Sequence, residues 1–128
     1  MSINTYEQNR ILSASPMELV RILYSEARCA VRNARENLRC GDIGSRSREI
    51  SKAQAILLEL ATSVDTAGGG DVGVRLLALY EYMQNRLLEA NTQQSDAPLA
   101  EVSQLLATLQ EAWLKCPEAE EQELAVAS

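Results

Sequence analysis

Apolar residues recur every three or four positions along most of this chain, the spacing that places side chains on one face of an α-helix. Four stretches show this repeat, and polar or glycine-containing segments separate them. The pattern predicts helices at about 16–38, 45–64, 71–91 and 98–115. Because three short connections join four helices, we expect an all-α fold, an antiparallel up-down-up-down four-helix bundle.

The start of the first helix is marked by three signals. Ser15 is a favoured N-cap residue, and Glu18 follows three positions later, as in a capping box. Pro16 falls at the first helical position, where its missing N–H costs nothing. The chain is therefore expected to consist of an N-terminal arm over 1–14 with a possible small helix, the bundle over 15–116, and an acidic flexible tail over 117–128.

Glycine, aspartate and proline predict the remaining helix ends. Gly41 is expected to stop the first helix, and the three glycines at 68–70 are expected to form a plain turn. Asp71 and Asp96 are predicted caps of the third and fourth helices, and Pro117 is predicted to end the fourth.

The second helix is apolar around more of its circumference than one buried face requires. Ala55, Ile56 and Leu58 fall outside its main apolar stripe. Either this helix is central in the bundle, or one side of it binds a partner helix. The sequence does not distinguish between these two arrangements.

Four arginines follow the polar side of the first helix at steps of four, three and four: Arg28, Arg32, Arg35 and Arg39. A solvated helix face is one interpretation of this pattern. The other is a basic strip that contacts an acidic partner. Both interpretations stay open at the level of the sequence.

Composition narrows the possible functions. The 128 residues are 46% hydrophobic, with four Tyr, one Trp and no Phe, so Leu, Ile, Val and Ala must form the core. The net charge of −6 argues against nucleic-acid binding, which requires a basic face. The sequence contains neither a run of about 20 apolar residues nor a signal peptide, so we expect a cytoplasmic protein without a membrane span.

Residue types that support catalysis or metal binding are scarce. The chain lacks histidine, the commonest metal ligand and general base, and its cysteines (Cys29, Cys40 and Cys116) have no CxxC spacing. We therefore expect no enzyme activity, no metal site and no cofactor. A binding module and a purely structural helical subunit remain.

A set of short motifs resembles the FliS-type flagellar secretion chaperones in order and spacing. These motifs are Tyr6, Ala14-Ser15-Pro16, Leu19, Leu23-Tyr24, Gly41-Asp42, Lys52-Ala53-Gln54, Ile56-Leu57, Glu59-Leu60, Leu79-Tyr80, Tyr82, Leu87, Ala90-Asn91 and Glu111-Ala112-Trp113. No single motif is specific, but together they extend over about residues 3–115.

The resemblance implies a cytosolic chaperone whose client is the C-terminal segment of newly made flagellin. It implies that binding prevents premature polymerisation and presents the subunit to the flagellar type III export gate. In this family the N-terminal arm can occupy part of the flagellin-binding surface when the client is absent. The arm residues that would cover the surface here are Ile3, Tyr6, Ile11 and Leu12.

On this basis we predict a client-binding groove on the second and fourth helices. Its predicted residues are Ile50, Ala53, Leu57, Leu60, Val102, Leu106 and Leu109. Arg86 and Asn91 are predicted polar contacts to the client, although Asn91 could equally bond a helix end. The alternative is a helical adaptor or structural protein that forms a homodimer through its apolar face and has no flagellin client.

Overall fold

A computed structural model describes residues 16–64 and 66–115 of the protein. It contains four α-helices, in chain order α1 Pro16–Cys40, α2 Ile43–Thr62, α3 Thr66–Gln93 and α4 Asp96–Lys115. Each helix packs against the next one along the chain, and α4 also packs against α1. This arrangement confirms the predicted four-helix fold. The predicted arm, the Ser15 cap and the predicted tail lie outside the described residues.

The connection between α1 and α2 contains only two residues. Gly41 has a φ of +77°, and its N–H donates to the Leu38 carbonyl oxygen at 3.2 Å. The N–H of Asp42 donates to the Asn37 carbonyl oxygen at 2.9 Å. These two bonds form a Schellman motif, which satisfies carbonyl groups that a helix end leaves unpaired. Gly41 therefore stops the helix as predicted, but α1 continues to Cys40 rather than ending at residue 38.

The start of α2 differs from the prediction. The helix begins at Ile43, because Asp42 is its N-cap and accepts a hydrogen bond from the Ser45 N–H at 3.1 Å. This hydrogen bond lowers the pKa of Asp42 below its usual 3.8, since it stabilises the ionised carboxylate. Asp42 therefore completes the Schellman motif with its N–H and caps the next helix with its carboxylate.

The three consecutive glycines do not form a plain turn, so this prediction is wrong. Helix α3 already begins at Thr66, and within it only Gly70 has a non-helical conformation, with φ 56° and ψ −132°. Asp71 directly follows this kink, at the start of the second of the two helical segments that meet there. The break is one residue wide instead of three.

Helix α4 begins at Asp96, two residues earlier than predicted. Arg35 on α1 donates two hydrogen bonds to the Asp96 carboxylate, from Nε to Oδ1 at 2.8 Å and from Nη2 to Oδ2 at 2.9 Å. This bidentate pair lowers the pKa of the Asp96 carboxyl, chiefly through the hydrogen bonds. Asp96, the predicted cap, is thus part of the first turn of α4, and its carboxylate ties the start of α4 to α1.

All four helices contribute apolar side chains to one core. Alanines at positions 27, 30 and 34 keep α1 close to its neighbours, and larger residues fill the centre. The fully buried large side chains are Tyr24, Val31, Ile50, Leu57, Leu60, Tyr80, Met83, Leu87, Leu99, Val102 and Leu106. The helical apolar stripes of the sequence thus form the core.

Three buried polar groups meet inside this core. The hydroxyls of Tyr24 and Tyr80 are 2.7 Å apart, and Trp113 Nε1 donates to the Tyr24 oxygen at 3.2 Å. Burial raises the pKa of both tyrosines. Tyr80 and Trp113 are core residues as predicted, but their polar atoms bond within the core rather than reaching solvent.

Candidate functional site

The structure places six of the seven predicted groove residues in the core. The exposed fraction is 0% for Ile50, Ala53, Leu57, Val102 and Leu106, and 1% for Leu60. Leu109 is partly buried and packs against the same core. These side chains belong to one core cluster, but they are not on a surface that a client can reach without opening the bundle. Their role in client binding stays a prediction.

Exposed apolar side chains lie next to these core positions, along the outer side of α2 and α3. Leu58 is 60% exposed, Val74 is 57% exposed and Leu88 is 54% exposed. Val74 and Leu88 share a side of α3 because fourteen positions correspond to about four helical turns. We call this surface the α2–α3 face and define it by Leu58, Val74 and Leu88, together with the exposed Ala55 and Ala78.

Two hydrogen bonds fix how α2 and α3 align. Gln84 Nε2 donates to the Gln54 carbonyl oxygen at 2.8 Å, and Ser47 Oγ donates to Asn91 Oδ1 at 3.1 Å. Moving seven residues back along α2 therefore corresponds to moving seven residues forward along α3. In this antiparallel register Leu58 lies level with about residue 80, which is between Val74 and Leu88. The exposed residues of the two helices therefore lie along the same length of the α2–α3 border.

Asn91 is bonded at the end of the bundle. Besides Ser47, it accepts hydrogen bonds from Arg46 Nη2 at its carbonyl oxygen (3.5 Å) and at Oδ1 (3.4 Å). Arg46 is only 4% exposed, and its positive charge near the C-terminal end of α3 is favoured by the helix dipole. Asn91 thus takes part in a helix-end contact, and its role as a client contact stays a prediction.

Arg86 is also bonded within the bundle. Its Nε donates to Glu101 Oε1 at 2.6 Å, and its Nη1 donates to Glu89 Oε2 at 3.2 Å. Tyr82 donates its hydroxyl proton to the other oxygen of Glu101 at 2.7 Å. The hydrogen bond from Tyr82, then that from Arg86, lowers the pKa of Glu101. Arg86 therefore holds α3 and α4 together, on the opposite edge of α3 from the α2–α3 face.

The basic strip of α1 borders α4. Arg35 pairs with Asp96, and Arg28 Nη1 donates to Gln110 Oε1 at 2.6 Å. A groove of about 320 Å³ follows this border. The described residues that line it are Arg28, Arg32, Arg35, Glu36, Arg39 and Ser103. The strip is thus partly paired with α4 and partly open.

Neither a metal cluster nor a membrane-spanning helix occurs in the part of the chain that the structure describes. Residues 16–64 and 66–115 contain no group of three or more His, Cys, Asp or Glu placed to hold a metal ion. No described helix is both long enough and apolar enough to cross a membrane.

Comparison with known proteins identifies the family. The family model of the flagellar protein FliS matches residues 1–120. The chain belongs to the FliS family. The resemblance seen in the sequence motifs is thereby confirmed, and it extends over the arm as well as the bundle.

Relatives of this chain that are themselves named FliS support the same assignment. The flagellar secretion chaperone FliS of Salmonella typhimurium is 36% identical over 107 residues, which is 83% of this chain and 79% of the relative. The Bacillus subtilis protein of the same name is 29% identical over 90% of this chain and 85% of the relative. The flagellar secretion chaperone FliSB of Pseudomonas aeruginosa is 33% identical over 81% of this chain and 82% of the relative.

Sequence reasoning missed Tyr24, Arg46 and Glu101. Tyr24 and Arg46 are polar residues within apolar helix faces, and this position was a usable signal for burial. In the sequence, Glu101 is only an acidic residue near the predicted start of the fourth helix. Its hydrogen bonds with Tyr82 and Arg86 can be predicted only when the packing of α3 on α4 is known.

Proposed function

We propose that this protein is a cytoplasmic flagellar secretion chaperone that binds the C-terminal segment of flagellin. Binding keeps the subunit from polymerising early, and the complex is delivered to the flagellar type III export gate. The observation that carries this proposal is the FliS family match over residues 1–120, together with relatives named flagellar secretion chaperones. Such binding requires no catalytic group and no cofactor.

The α2–α3 face is our candidate for the client contact. An amphipathic segment that folds on binding presents apolar side chains at helical spacing, and it needs an apolar surface to receive them. Leu58, Val74 and Leu88 each expose more than half of their surface, so covering them contributes roughly 1 kcal/mol apiece. The face is flanked by Gln54 and Gln84, whose hydrogen bond keeps α2 and α3 in register.

The test is calorimetry with a synthetic peptide of the flagellin C-terminal segment. We expect a favourable enthalpy and a negative heat-capacity change, since a disordered peptide becomes ordered and buries apolar surface. Leu58→Ser and Leu88→Ser should each weaken binding about fivefold. Leu114→Ser is the matched control, because Leu114 is also 60% exposed but lies on α4.

Two outcomes separate the function from the surface. If the peptide does not bind at tens of micromolar and the protein instead forms a stable dimer, the chaperone proposal is wrong and the self-associating adaptor is favoured. If the peptide binds the unchanged protein and the Leu58→Ser and Leu88→Ser variants lose no more affinity than the Leu114→Ser control, the α2–α3 face is not the contact surface. Hydrogen exchange with the peptide would then show whether the bundle opens around the predicted core positions Val102 and Leu106.

A further inference from the structure

The basic strip of α1 is only partly neutralised. Arg28 and Arg35 donate hydrogen bonds to side chains of α4, and Arg39 Nη2 lies 3.7 Å from Glu36 Oε1. Arg32 is exposed and has no hydrogen bond or ion pair with any residue that the structure describes. The groove along this strip therefore presents cationic groups that are still available to a ligand.

The basic strip stands out because the chain as a whole is acidic. The net charge is −6, and four of the 18 acidic residues lie close together after α4, at Glu118, Glu120, Glu121 and Glu123. No basic residue follows Lys115. A segment with four glutamates and a groove with four arginines and one glutamate are thus parts of one chain.

The packing of α4 on α1 determines where this segment starts. Trp113 bonds to Tyr24, and Asp96 bonds to Arg35, so α4 runs antiparallel to α1. Lys115 at the end of α4 is therefore level with the part of α1 that precedes Arg28. A chain that reverses direction after Lys115 runs along the groove from Arg28 towards Arg39.

The spacing of the two sets of charges agrees. Arg28 and Arg39 are eleven helical residues apart, which is about 16 Å at a rise of 1.5 Å per residue. Glu118 and Glu123 are five residues apart, which is also about 16 Å in an extended chain. The carboxylates of an extended segment can therefore lie beside the arginines along the whole groove.

We propose that the acidic segment 118–123 folds back and docks in the groove between α1 and α4. Arg32 is its principal contact, and Arg28 and Arg39 flank it. Individual exposed ion pairs are weak, but several pairs on a short tether benefit from an effective concentration in the millimolar range. Docking of the segment would compete with any other acidic ligand for the basic strip.

The test is NMR of the full chain labelled with ¹⁵N. The variant Glu118→Gln, Glu120→Gln, Glu121→Gln, Glu123→Gln removes the charges without touching the bundle. We expect the amide signals of 28–39 and of Ser103 to shift in this variant, and the same signals to shift when salt is raised from about 50 to 500 mM. Unchanged signals in both experiments would overturn the proposal.

Charge reversal in the groove provides the complementary test. Arg32→Glu should reproduce the amide changes of the four-glutamine variant, and adding Glu120→Lys and Glu121→Lys should restore the original signals. Arg75→Glu is the matched control, because Arg75 is an exposed arginine on α3. If Arg75→Glu has the same effect as Arg32→Glu, the interaction is a general charge effect and the proposal fails.

A synthetic peptide of residues 117–128 tests the contact between separate molecules. Added at a few millimolar to the four-glutamine variant, it should shift the signals of 28–39 and leave those of the α2–α3 face unchanged. Shifts confined to the α2–α3 face would overturn the proposal. This result is independent of flagellin binding, so the two proposals can fail separately.

Discussion

The hydroxyl of Tyr24 joins three helices of the bundle through hydrogen bonds. It contacts the Tyr80 hydroxyl on α3 and accepts from Trp113 on α4, and all three side chains are buried. A buried polar group that loses its partner keeps its full desolvation cost. The stability of this part of the core therefore depends on one oxygen atom.

Tyr24→Phe should lower the free energy of unfolding by about 1–3 kcal/mol, since it leaves Tyr80 and Trp113 without their shared partner. Urea unfolding followed by circular dichroism measures this change. Tyr82→Phe is the control, because its exposed hydroxyl can exchange Glu101 for water. Equal losses in the free energy of unfolding for the two substitutions would show that the buried hydrogen bonds stabilise the protein no more than the exposed one.

At the scale of the element, glycine has opposite roles in two helices. Gly70 has φ 56° and ψ −132°, a combination that only glycine adopts readily. Gly44 is in the first turn of α2 without a positive φ, and a Cβ there would meet Arg48 Nη1 at 3.6 Å, an ordinary contact. Only the first position needs glycine.

Gly70→Ala should therefore destabilise the protein by about 1–3 kcal/mol, the usual cost of a strained backbone conformation. Gly44→Ala should instead stabilise it by about 0.4–1 kcal/mol, because alanine restricts the unfolded chain. Thermal unfolding of the two variants measures both signs. Stabilisation by Gly70→Ala would mean that α3 passes this point without a kink.

Periodicity predicted the helices because each must bury one stripe of apolar side chains. It did not predict which apolar residues remain exposed. Leu57 and Leu58 are adjacent in sequence, yet Leu57 is fully buried and Leu58 is 60% exposed. A helix that is apolar over a wide arc has several orientations of similar hydrophobic energy, and only packing against its neighbours selects one. The predicted groove therefore consisted mainly of core residues.

For the whole molecule, ionised carboxylates stabilise the fold through contacts that exist only when it is folded. Asp96 and Glu101 both have a lowered pKa, owing to hydrogen bonds from Arg35 in one case and from Tyr82 and Arg86 in the other. The folded state therefore keeps these groups ionised at a lower pH than the unfolded chain does. Their contribution is complete above the usual values of 3.8 and 4.5 and is lost as the pH falls through the lowered values.

We accordingly expect the urea midpoint to be nearly constant from neutral pH to about pH 5 and to fall below about pH 4. The absence of histidine removes the usual titration between these limits. Asp96→Asn should make the acid decline shallower, by a small amount because Asp96 is half exposed. A decline that starts above pH 6 would contradict this assignment.

The family was predictable because its motifs are spread along the whole chain, but contact residues were not. Arg86 and Asn91 are polar residues on the predicted third helix, and the sequence does not show that Glu101 and Arg46 already bond to them. Interactions between helices distant in sequence decide which polar groups remain available. Such information enters only with the packing of the bundle.

The two-residue connection between α1 and α2 also has a consequence for the order of assembly. Closing the α1–α2 hairpin fixes almost no intervening chain, whereas bringing α4 onto α1 closes a loop of 55 residues, from Gly41 to Ser95. Loop-closure entropy rises by about 0.6 kcal/mol for each doubling of length, so the α1–α4 contact is the entropically expensive one. During folding from the extended chain, the α1–α2 hairpin is therefore expected to form before α4 packs on α1.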